Sequence, residues 1–170
     1  MTYFEAFGIE PALAIDTEDL QQRFYRLSRE FHPDRFTRKP AVEQQLALER
    51  TSMLNDGLRI LKDPVRRAEY VLTQHGFDIG EQRTKDVPPE LLEEVFELNM
   101  ALEESDAEQL AVLKTRFDAM RADIDAELAG LFRKYDASGS RDDLARIRGI
   151  LNRRRYIENL VKKIDAGLPE

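Results

Sequence analysis

The tripeptide His32-Pro33-Asp34 is the strongest candidate for reactive chemistry in this chain. An imidazole and a carboxylate two positions apart can act as a general base and its orienting partner. They can equally form a contact tip that engages another protein. Pro33 decides how they are displayed. It has no backbone N–H, its ring clashes with the preceding turn, and it pushes His32 away from helical φ/ψ. The chain therefore turns at 32–34 and carries both polar groups at the tip. Nothing else in the sequence supports catalysis. There is no G-x-S-x-G, no phosphate-binding glycine loop and no cluster of metal ligands. No cysteine occurs, which excludes disulfides, thiolate metal sites and a Cys nucleophile. His75, the second of two histidines, has no partner in sequence and reads as a helix-end residue. The expectation is no catalytic residue, no metal and no cofactor.

The elements that must position the tip are helical. Of 170 residues, 42% are hydrophobic and 35% charged, the balance of a globular chain. A net charge of −7 argues against a general binder of nucleic acid or anionic membrane. No apolar run reaches membrane-span length, and MTYFEAFGIE resembles neither a signal nor a transit peptide. The expected location is cytoplasmic. No segment alternates with β-branched enrichment, so no sheet is expected. Residues 3–8 make a short apolar opening. A helix follows at 17–31, capped by Asp16 or Thr17, with Leu20, Phe24, Leu27 and Phe31 on one face. A longer one spans about 41–62, its inward stripe read as Val42, Leu46, Met53 and Ile60, widened by Leu54, Leu58 and Leu61. Asp63-Pro64 opens a third helix to about Gln74, stopped at Gly76.

Residues 77–87 read as a linker, leaving 1–76 and 88–170 as domains. The second domain reads as three long helices: about 88–104, then 105–135 opened by a capping box at Ser105, then 141–166 after a turn at 136–140. The middle stripe is Leu110, Leu113, Phe117, Met120, Ile124, Leu128, Leu131 and Tyr135. The last is Ile147, Ile150, Leu151, Ile157, Val161 and Ile164, and Arg154 interrupts it. Short connections between long amphipathic helices imply antiparallel neighbours. The fold class is therefore all-α, an antiparallel helical hairpin followed by a three-helix bundle.

Two surfaces stand out. Residues 20–39 hold six basic side chains against two acidic, a net of +4 in an acidic protein. Residues 86–108 hold nine acidic and no basic ones, a net of −9. An arbitrary charge run is most often a solvated helix face. The acidic helix has a second peculiarity. Leu91, Val95, Leu98 and Leu102 already supply a core stripe, yet Leu92, Phe96 and Met100 form another line at spacing four. Glu93, Glu97, Glu103 and Glu104 rim it. An exposed apolar line with an acidic rim suits a protein-binding surface; a covering segment is the alternative.

The frame around the tip carries a resemblance. A basic amphipathic helix, His-Pro-Asp, and a longer helix ending LKDPVRRAEY at 61–70 resemble the J-domain of DnaJ-type co-chaperones over roughly residues 1–76. Tyr3-Phe4-Glu5-Ala6-Phe7-Gly8 is similar to that family's opening. Arg67-Ala68-Glu69-Tyr70-Val71-Leu72, His75-Gly76-Phe77-Asp78 and the acidic bundle resemble one branch, the HscB family of iron–sulfur cluster co-chaperones, over essentially the whole chain. Gly57 and Leu58 depart from it, standing where a small residue and an aromatic are usual. The cysteine-rich extension of some eukaryotic members is missing, which points to the bacterial type.

The resemblance implies a co-chaperone and not an enzyme. Its partners would be an Hsp70-type ATPase of the HscA kind and an IscU-type iron–sulfur scaffold, with no nucleic acid and no membrane. His32, Pro33 and Asp34 would touch the ATPase, steered by Arg23, Arg26, Arg29, Arg35 and Lys39. Leu92, Phe96, Glu97, Met100, Glu104 and Tyr156 would hold the scaffold. Two other readings remain open: a J-protein with another client, such as unfolded chains, and a His–Asp enzyme.

Overall fold

The computed structural model describes residues 1–79 and 88–167. No strand occurs among them, and the all-α expectation holds. Most of the expected linker, residues 80–87, lies outside the described residues. The chain divides into two compact units, Met1–Val71 and Leu72–Glu170.

The first unit holds α1 (Tyr3–Phe7), α2 (Thr17–Glu30), α3 (Ala41–Leu61) and most of α4 (Pro64–Gln74). A five-residue helix is unstable alone, because nucleation costs more than one turn returns. α1 survives through its ends and its core. Thr2 and Glu5 cap it reciprocally, Gly8 ends it at φ 66°, and Phe4 and Phe7 are buried. Tyr70 of α4 ties it down, its hydroxyl accepting the Tyr3 N–H at 3.1 Å. Asp16 caps α2, accepting the amides of Glu18 and Asp19 at 3.0 and 3.1 Å.

The stripe expected on α3 needs correction. Val42 and Leu46 are 72% and 52% exposed. The inward line is Ala47, Leu54, Gly57 and Leu61. Gly57 is small because α1 lies close: a Cβ there would stand 2.8 Å from the Phe7 ring and 3.2 Å from that of Tyr3. The departure at Gly57 is thus an accommodation of two α1 aromatics.

The second unit contains α5 (Pro89–Glu103), α6 (Ala107–Ser138) and α7 (Arg141–Gly167). α6 and α7 pack along their lengths, and α5 lies against α7. Phe117, Ile124, Leu128, Leu131 and Phe132 of α6 meet Leu144, Ile147, Leu151, Ile157 and Val161 of α7 in the core. Two boundaries differ from expectation. The cap of α6 is Asp106, not Ser105, because Asp106 and Gln109 satisfy each other's amides. The same helix runs through 136–138, where a turn was expected, and stops only at Gly139, which adopts φ 65°. Arg154 is only 17% exposed in its side chain, and its guanidinium donates to Asp125 at 2.6 Å and to Glu158 at 3.4 Å. The interruption in the α7 stripe is thus an ion pair with α6.

Candidate functional site

The tip is a single turn of 3-10 helix, Pro33–Arg35, between α2 and α3. Arg35 N–H donates to the His32 carbonyl and Phe36 N–H to the Pro33 carbonyl, both at 2.9 Å. His32 is its N-cap, with the ring Nδ1 accepting the Asp34 N–H at 3.2 Å. The Asp34 carboxylate lies 3.7 Å from the same nitrogen, and its side chain is 88% exposed. The polar groups expected at a tip are therefore at one, with the acid facing solvent.

The turn is braced from α3 by residues to which sequence reasoning assigned no role. Gln44 Nε2 donates to the carbonyls of Thr37 and Lys39 at 3.3 and 2.9 Å. Thr51 Oγ1 donates to the Phe31 carbonyl at 3.2 Å. Arg50 stands over the Phe31 ring, 5.6 Å from its centroid. The available signal was positional only: polar residues in the first half of a helix that begins just after a turn.

The basic residues differ in their engagement. Arg26, Arg29, Arg35, Arg38 and Lys39 are exposed. Arg23 is half-buried. It donates to Asp19 at 2.7 Å and to the carbonyls of Phe7 and Gly8 at 3.3 and 3.1 Å, so it closes the C-terminal end of α1. Tyr25, Ser28, Arg29 and His32 line a shallow, largely apolar groove beside the tip. Tyr25, 58% exposed, follows the inward Phe24 and was not singled out by pattern.

In the second unit, α5 has two apolar faces. Leu91 and Leu98 are buried, whereas Leu92, Phe96 and Met100 are 52%, 66% and 41% exposed. Among the described residues nothing covers that second line. Glu93, Glu97, Glu103 and Glu104 are exposed around it. Glu94 is spent on the bundle, bound by Arg153 of α7 at 2.9 Å. That hydrogen bond holds the Arg153 guanidinium above its ordinary range. Lys163 donates to Asn99 at 3.1 Å. Tyr156 lies between Arg153 and Lys163 along α7 and is half-buried.

Among the described residues no group of three or more His, Asp or Glu is placed to hold a metal ion. None of the described helices is long and apolar enough to cross a membrane.

Comparison with known proteins agrees on the class. The family described as HSCB C-terminal oligomerisation domain matches residues 87–165. A co-chaperone protein HscB homolog of Shewanella is 36% identical over 84% of this chain and 83% of its own. One from Vibrio vulnificus is 40% identical over 71% of this chain and 73% of its own. The chaperone HscB from Vibrio cholerae superposes with a TM-score of 0.70 at 27% identity, covering 98% of this chain and 97% of that one. Human co-chaperone HscB gives a TM-score of 0.76 at 26% identity, covering 98% and 82%. The class is thus that of a two-unit helical co-chaperone. The chain belongs to the HscB family.

Proposed function

We propose that this protein is a cytoplasmic J-domain co-chaperone that stimulates an HscA-like Hsp70 ATPase and presents to it an IscU-like iron–sulfur scaffold. Residues 1–76 act as the J-domain and 88–170 as the client-binding bundle. The observation that carries this reading is the His-Pro-Asp turn, a carboxylate 88% exposed on a braced single turn flanked by exposed cations. A carboxylate so placed suits a guanidinium on the ATPase, since charge-assisted pairs are the stronger hydrogen bonds. Arg26, Arg29, Arg35 and Lys39 speed the encounter with an acidic patch. Arg23 contributes charge from a more fixed position. The protein transforms no substrate. It biases the ATPase between states through its differential affinity for them.

The client docks on Leu92, Phe96 and Met100 of α5, with Tyr156 contributed by α7. Glu97 and Glu104 set register against a folded basic surface. A dry apolar centre inside a charged rim concentrates binding energy in few residues. A short acid-rimmed line favours a folded partner over unfolded chains, which present long apolar segments.

Two variants test the reading. Asp34→Asn should abolish stimulation of the HscA-like ATPase while leaving scaffold binding intact. Replacing Leu92, Phe96 and Met100 together by Ala should raise the scaffold Kd at least about tenfold. The melting temperature should stay within about 3 °C, as surface truncation predicts. Full stimulation by Asp34→Asn would sink the J-domain assignment. Unchanged scaffold affinity in the triple variant would remove α5 as the client face.

A further inference from the structure

We infer that His32 is a positioning residue: its neutral ring, protonated on Nε2, caps the turn through Nδ1 and so holds Asp34 outward for the ATPase. This rests on the reading of the turn as the ATPase contact. The inference begins from where the backbone N–H groups of the turn go. Pro33 has none. Arg35 and Phe36 donate to the carbonyls of His32 and Pro33. The Asp34 N–H is the first donor of the turn and lies too early to reach a carbonyl within it. The ring of His32 takes it, at 3.2 Å. Serine, asparagine and aspartate oxygens ordinarily fill that role at a helix start, and here an imidazole nitrogen does.

The acceptor role fixes the tautomer. A nitrogen that receives a hydrogen bond must keep its lone pair, so Nδ1 is bare and the proton sits on Nε2. A proton on Nδ1 would turn the acceptor into a donor. An acceptor that such a donor would meet is the Asp34 carboxylate, 3.7 Å away. The ring would then leave the amide and draw the carboxylate back onto its own chain. Bare Nδ1 thus does two things at once: it orders the turn and leaves the acid unclaimed. Tyr25, Ser28 and Arg29 share the groove with the ring.

Asparagine and glutamine separate the cap from any direct contact. The oxygen of Asn stands as many bonds from Cα as Nδ1 does, while the amide of Gln reaches the position of Nε2. His32→Asn should keep ATPase stimulation within about threefold of the parent, whereas His32→Gln should lose at least about tenfold, the order expected for a lost cap. The same assay should show Asp34→Asn inactive and all three variants with parental scaffold affinity. Nitrogen-15 spectra of the unmodified full chain at mildly alkaline pH should show His32 protonated at Nε2 and bare at Nδ1. If Asn is as inactive as Gln while Asp34→Asn is also inactive, the turn is the ATPase contact but His32 touches the partner itself, and the inference fails. If both His32 variants are fully active beside an inactive Asp34→Asn, the cap is dispensable and it fails again. A protonated Nδ1 overturns it directly. If Asp34→Asn also stimulates fully, the reading of the turn falls first.

Discussion

Arg67 shows how much one side chain decides in a small helical unit. It is 5% exposed, and its guanidinium donates to the carbonyl of Leu13 at 2.6 Å and of Leu61 at 2.7 Å. The second of these carbonyls lies at the C-terminal end of α3, where helix carbonyls lack partners and a cation is favoured. Arg67→Leu should therefore cost more than packing alone. It leaves two buried carbonyls without this donor, at about 1–3 kcal/mol each, so urea melts should show a loss of roughly 2–6 kcal/mol. Lysine should restore less than half of it, since an ammonium cannot reproduce the planar fork. A loss under about 1 kcal/mol for Arg67→Leu would mean water replaces the guanidinium. By type an arginine is expected on the surface. Its burial was not legible, because the carbonyls that receive it come from residues 6 and 54 positions away. His32 and Asp34 were legible, because Pro33 acts on its immediate neighbours.

At the scale of elements, α3 separates pattern from packing. Large apolar residues dominate any stripe, and they led to Val42 and Leu46, which face solvent. The inward line sets Ala47 and Gly57 beside Leu54 and Leu61, and at Gly57 the missing side chain lets α1 approach. Gly57→Ala makes the point measurable. In an exposed helix that change gains about 1 kcal/mol of helix propensity. Here the new methyl would meet the fully buried Phe7 ring at 2.8 Å, with Tyr3 at 3.2 Å behind it. Overpacking of this kind costs about 1–3 kcal/mol, so the variant should be less stable by up to about 2 kcal/mol in denaturant melts. A gain in stability would show that α1 shifts freely. On α5, by contrast, both apolar lines were visible in the sequence, since a peripheral helix in a small bundle buries one face. Which line faces inward is settled by Leu91 and Leu98, which are buried while Leu92 and Phe96 are not.

For the molecule as a whole, charge of opposite sign is assigned to different units. The +4 segment belongs to the unit Met1–Val71 and the acidic helix to Leu72–Glu170. The two contacts should be separable. Arg26→Glu with Arg29→Glu should slow association with the ATPase about tenfold at low ionic strength, an effect that shrinks as salt screens the encounter. Scaffold affinity should change by less than about twofold. A rate indifferent to both the substitutions and the salt would remove the steering role. On the proposed function, joining the modules in one chain would raise the effective concentration of client beside the ATPase. Local features were legible from neighbouring residues: the helix periods, the Asp16 cap, the proline-forced turn and the charge of each face. These depend on residues within a few positions of one another. Which polar side chains are consumed internally follows from how distant segments pack. Arg23, Glu94, Arg154 and Arg67 are tied to groups from other helices or loops, whereas Asp34, Arg26 and Phe96 stay exposed. That division depends on which distant segments meet, and a one-dimensional pattern does not carry it.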